Sequence, residues 1–135
     1  MNKINRNLCA IALLVTLTGS LAYAASSDVV LNDPTKPILV TKTNPIFTIK
    51  LQATTPGSVW LLKEIDSNFI IPLHRTVHQE ETKNKTIIPS YEEWLFEAKP
   101  NALKVPYKTT ITLIYTQPAT MQSIQGNTFT VITLP

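Results

Sequence analysis

Ten prolines recur from Pro34 to Pro135, at a spacing that leaves little room for a long helix. Proline has no backbone N–H and clashes with the carbonyl four residues earlier, so a helix stops or kinks where it meets one. Between the prolines lie short stretches rich in β-branched and aromatic residues: 37–41, 46–51, 58–65, 69–77, 94–98, 108–115 and 128–134. Residues of this kind, bounded by turn formers, read as strands.

Alternation within the stretches supports that reading. Phe47, Ile49 and Leu51 point one way while Thr48 and Lys50 point the other, and Ile111, Leu113 and Tyr115 alternate with Thr110, Thr112 and Ile114. A period of two places alternate side chains on opposite faces of a sheet, one of them buried. Seven such strands predict an all-β, immunoglobulin-like β-sandwich. Trp94 shares a face with Phe96, and Trp60 with Leu62, so both tryptophans are expected to anchor the core. The charged run 79–85 has no apolar periodicity and is expected to be a mobile loop.

The first 24 residues have the layout of a secretory signal: Lys3 and Arg6, an apolar run from Leu8 to Leu17, then Ala22-Tyr23-Ala24 as a small-x-small cleavage site. An apolar run of about ten residues is too short to cross a hydrocarbon core. The expectation is therefore a signal over 1–24 and one exported, soluble domain over 25–135, destined for a periplasm or the medium. Cys9, the chain's one cysteine, leaves with the signal, so packing alone must hold the remainder together. Removing Lys3 and Arg6 from the twelve basic residues leaves ten against nine acidic ones, a net charge of about +1. Nothing in that balance points to nucleic acid.

Chemistry-bearing motifs are scarce. Beyond the signal the only glycines are Gly57 and Gly126, which is too few for a phosphate-cradling or dinucleotide-binding turn. No cysteine remains for thiol catalysis, and no G-x-S-x-G elbow exposes a serine. His74 and His78 lie four apart; on a strand that is ~13 Å, too far to converge on one metal ion. Glu92, Glu93 and Glu97 suggest an acid–base pair less than a solvated strand edge. Asn84-Lys85-Thr86 matches a glycosylation sequon, relevant only if the source glycosylates exported proteins. No catalytic residue, metal or cofactor is assigned.

The stretch from Phe47 through Ala53-Thr54-Thr55-Pro56-Gly57 to Trp60 resembles the chagasin-like inhibitors of papain-type cysteine proteases. In that family a strand runs into an N-P-T-T-G loop, and a tryptophan follows the glycine by three residues. Leu113-Ile114-Tyr115-Thr116-Gln117-Pro118-Ala119 is similar to the family's T-Y-x-R-P-W loop, and Phe129-Thr130-Val131 begins where the family's last strand does. The resemblance spans most of residues 25–135. It implies an immunoglobulin-like sandwich whose three loops, here 53–57, 87–91 and 115–120, enter a protease cleft without being cleaved.

The residues it assigns to protease binding are Thr54, Thr55, Pro56, Gly57, Ser90, Tyr91, Tyr115, Gln117, Pro118 and Ala119. Several depart from the family's pattern. Ala53, Thr54 and Pro56 replace Asn, Pro and the second Thr of the first loop. Ile87-Ile88-Pro89-Ser90 stands where the family has G-x-G-G, and Gln117 and Ala119 replace the Arg and Trp of the third loop. Arg and Trp are frequent hot spots, each worth ~2 kcal/mol or more, so losing both corresponds to about a thousandfold in affinity. The Pro56-Gly57 pair also suits the centre of a type II turn, whatever the loop binds. The expectation is a monomeric inhibitor with a papain-like protease as protein partner. The alternative is a non-inhibitory immunoglobulin-like binding or adhesion module of the cell envelope or secretome.

Overall fold

A computed structural model describes residues 30–81, 83–85 and 87–135. The signal expected over 1–24 lies outside the described residues. Among the described residues seven strands form two sheets: β1 (Ile38–Thr41), β2 (Ile46–Gln52), β3 (Val59–Ile65), β4 (Ile70–Glu81), β5 (Ile87–Ala98), β6 (Tyr107–Gln117) and β7 (Gln122–Leu134). A 3-10 turn, Pro100–Leu103, precedes β6. One sheet has the order β1-β7-β6-β3 and the other β2-β5-β4. All pairings are antiparallel except β1 with β7.

The alternation read from the sequence fills the space between the sheets. Ile49 and Leu51 from β2, Trp60 from β3, Ile70 from β4, Phe96 from β5, Ile111, Leu113 and Tyr115 from β6, and Phe129 and Val131 from β7 are buried in one cluster. Burying a large apolar side chain of this kind contributes roughly 1.5–3 kcal/mol, so this interior carries the stability of a cysteine-free sandwich. Trp60 is fully inside, whereas Trp94 packs against the margin of the cluster and remains half-buried.

All seven expected strands are present, but β4, β5 and β7 run longer than their apolar stretches. Gln79, Glu80 and Glu81 continue β4 and pair with Pro89, Ile88 and Ile87, so only the end of the charged run 79–85 turns the hairpin. Main-chain ladder bonds do not require apolar side chains, so a hairpin can continue through a charged stretch that shows no periodicity to read. For the same reason residues 87–91 are not a loop but the first part of β5.

That extension corrects the reading of the three glutamates. β5 is the central strand of its sheet, not an edge, and Glu92 is buried while Glu93 and Glu97 are half-buried. Pro89 is tolerated in this strand because β2 ends opposite Tyr91, which leaves β4 as the neighbour there.

The free edge of β2 is covered locally. Asn32 donates its N–H to the Lys50 carbonyl at 2.9 Å, and the Lys50 N–H donates to Asn32 Oδ1 at 2.8 Å. An edge occupied in this way offers less main chain to another sheet.

Candidate functional site

The antiparallel register brings the connections after β2, β4 and β6 to one end of the sandwich. Gln52 lies opposite Tyr91, Tyr91 opposite His78, and Val59 opposite Thr116. The β1–β2, β3–β4 and β5–β6 connections lie at the other end.

The β2–β3 connection is built around a tight turn. The Ser58 N–H donates to the Thr55 carbonyl at 3.1 Å, and Gly57 sits at φ +76°. Pro at the second position and a left-handed Gly at the third are what a type II turn requires. The turn read from Pro56-Gly57 is therefore the turn observed.

Tyr115 joins this turn to β6, the strand that leads into the β6–β7 connection. Its hydroxyl accepts the Thr55 N–H at 3.0 Å and donates to the Thr55 carbonyl at 3.2 Å. The ring is 5% exposed and stacks on Trp60 at 5.1 Å, while Trp60 Nε1 donates to the Gln52 carbonyl at 2.8 Å. An aromatic pair fixed at both polar ends gives the turn a rigid floor.

The turn is also tied to the β4–β5 hairpin. The Ala53 N–H donates to the Ser90 carbonyl at 3.1 Å, and Ser90 Oγ donates to the His78 carbonyl at 3.2 Å. Tyr91 stacks on His78 at 4.2 Å, with the two rings inclined by 11°. The first connection is thus bonded to β5 and to β6, strands that flank the other two connections.

The β6–β7 connection closes on itself. Thr116 Oγ1 donates to the Gln122 carbonyl at 2.8 Å and the Thr120 N–H to the Gln117 carbonyl at 3.2 Å, with Met121 left-handed at φ +55°.

The ten residues assigned from the sequence divide by exposure. Thr54, Thr55, Pro56, Gly57, Pro118 and Ala119 are exposed, and Ser90, Tyr91 and Gln117 are half-buried. Ser90 and Tyr91 belong to β5 rather than to a loop. Tyr115 is buried, so it supports the first turn from below instead of facing a partner.

Two apolar residues escaped the sequence reading. Met121 is 88% exposed at the tip of the β6–β7 connection, and Ile124 is exposed nearby. Both stand alone among polar residues, and that isolation was the available signal. The exposed residues of the first and third connections are Thr54, Thr55, Pro56, Gly57, Pro118, Ala119, Thr120 and Met121, none of which carries a titratable side chain, while Lys83 and Lys85 are exposed on the β4–β5 connection. What the first and third connections offer a partner is shape, apolar surface, threonine hydroxyls and main-chain hydrogen-bonding groups.

The fold is a two-sheet sandwich with the connections after β2, β4 and β6 at one end. No protein-family model matches the chain, and no curated protein matches it. Among solved structures, the fold is similar to the crystal structure of the cysteine protease inhibitor EhICP2 from Entamoeba histolytica. The TM-score is 0.50 at 20% sequence identity, over 71% of this chain and 94% of that one. The two chains share a fold, and the resemblance to chagasin-like inhibitors has a solved inhibitor as its structural counterpart.

Proposed function

We propose that the processed protein inhibits papain-like cysteine proteases, its three connections filling the active-site cleft without a covalent step. The observation that carries this reading is the Tyr115 hydroxyl, which bonds both main-chain groups of Thr55 and so ties the β2–β3 turn to the end of β6 that leads into the β6–β7 connection. A wedge assembled before binding loses little conformational entropy when it docks. The fold shared with a cysteine protease inhibitor supports the same reading.

In this reading Thr54, Thr55, Pro56 and Gly57 enter the cleft, with Pro118, Ala119 and Gln117 on one flank and the β4–β5 hairpin with Tyr91 on the other. The substrate-like resistance to cleavage comes from the type II turn, whose Pro56 and left-handed Gly57 keep the chain out of the extended form a protease cleaves. Export of the mature chain to a periplasm or the medium is part of the proposal, supported by the signal layout of 1–24.

Titration of papain and of a cathepsin L-like enzyme with purified processed protein tests it. Reversible inhibition that competes with substrate and leaves the inhibitor intact is expected. Full protease activity at high micromolar protein would overturn the proposal, and a non-protease partner captured from the native compartment would favour a binding module.

A further inference from the structure

Glu92 is the one fully buried charged residue among the described residues, 1% exposed. It lies on β5 in phase with Trp94 and Phe96 and therefore points between the sheets. Its Oε1 accepts the Trp60 N–H at 3.0 Å, and its Oε2 accepts the Arg75 Nε–H at 2.7 Å. Trp60 is on β3, an edge strand of one sheet; Arg75 is on β4, an edge strand of the other.

One carboxylate thus spans the open side of the sandwich. An edge strand leaves outward N–H groups with no ladder partner, and here a side chain from the facing sheet supplies one. A buried carboxylate is tolerated only when paired and hydrogen-bonded, so its two partners fix its position. Arg75 keeps about a third of its side chain exposed, with its guanidinium 5.9 Å from the centre of the Trp94 ring.

From Trp60 the contacts run to the candidate site. Its indole N–H holds the Gln52 carbonyl, and its ring stacks on Tyr115, whose hydroxyl holds Thr55. We infer that Glu92 is a positioning residue: by fixing Trp60 against Arg75 it sets the β2–β3 turn relative to the β4–β5 hairpin. The inference rests on the inhibitory reading, because it concerns the spacing of the connections which that reading uses.

The test compares Glu92→Gln and Arg75→Met with the unaltered protein. Each removes the charged arm and leaves an oxygen for the Trp60 N–H. Amide hydrogen exchange is measured at Thr55 and Ser58, with Ile111 and Val131 as core references, and the dissociation rate from papain is measured alongside. A hydrogen bond between charged groups corresponds to at least about tenfold, so Thr55 and Ser58 should exchange about tenfold faster while the references hold, and papain should dissociate about tenfold faster.

Unchanged exchange at Thr55, or an equal rise at all four amides, would overturn the inference. If Glu92→Gln does not fold, Arg75→Met decides by the same criteria. If neither folds, the pair governs the whole fold rather than the turn, and the inference fails. Selective exchange in the variants with no papain inhibition by the unaltered protein would retain the positioning role and reject the inhibitory reading.

Discussion

Replacing Tyr115 by Phe removes one oxygen atom and, with it, both hydrogen bonds to Thr55. The ring stays in place against Trp60, so no cavity opens and the core term is unchanged. The accepted bond at 3.0 Å has ordinary length, while the donated bond at 3.2 Å is long for a hydroxyl. Thr55 is exposed, so water can replace the lost partner at its main chain and the full desolvation penalty does not apply. The two bonds together should be worth about 1–1.5 kcal/mol. For a domain of this size that lowers the melting temperature by roughly 4–6 °C. Urea and thermal unfolding give the stability change, and stopped-flow dissociation from papain gives the functional one. Freed of its support, the first turn should raise the dissociation rate while association stays nearly constant. A folded Tyr115→Phe protein within ~0.3 kcal/mol of the parent, with an unaltered dissociation rate, would refute the claim that this hydroxyl holds the turn.

Three further outcomes are expected. Gly57→Ala should cost about 1 kcal/mol in urea unfolding: φ is +76° and the added Cβ meets no atom, so the cost is conformational alone, and a neutral result would exclude the type II geometry. Gln117→Arg combined with Ala119→Trp should tighten papain inhibition by about tenfold or more, since neither position reaches the core; a folded double mutant that binds no tighter would remove Gln117 and Ala119 from the contact surface. The Thr35 side-chain hydroxyl, and then the Thr35 N–H, hold the Asp33 carboxyl below its ordinary value of 3.8. A folded-state value below the unfolded one means that this stabilisation is complete above the ordinary carboxylate range and is lost as pH falls through the lowered value. Asp33→Asn should therefore flatten the acid end of the stability profile, and an identical acid slope in the variant would contradict the assignment.

The two strands flanking the first turn were legible because each residue there obeys a local rule. Phe47, Ile49 and Leu51 alternate with polar neighbours, and Pro56-Gly57 encodes its own turn. The end of the β4–β5 hairpin was not legible, because Gln79, Glu80 and Glu81 pair with Pro89, Ile88 and Ile87 in a main-chain ladder, which leaves no pattern in side-chain polarity. Glu92 carried a readable signal: it falls in phase with Trp94 and Phe96, which places it on the inward face. What outweighed the phase was its charge, which argues for solvent until Arg75 and the Trp60 N–H are known to be within reach.

Tyr115 shows the same division. Its alternation with Ile111 and Leu113 announces an inward side chain, yet the sequence motif around it suggested a loop that faces a partner. Inward won, because the ring fills space beside Trp60 and its hydroxyl finds main chain from a different connection.

The order of residues alone determined that this chain forms short pleated strands, where several of them begin, and that Pro56-Gly57 turns sharply, because these follow from steric preferences of each residue and its neighbours. Only the tertiary structure decided that β5 is central, that a carboxylate is buried between the sheets, and that the connections after β2, β4 and β6 lie at one end. Those depend on which strand lies alongside and which sheet lies opposite, and no short window of sequence contains that information.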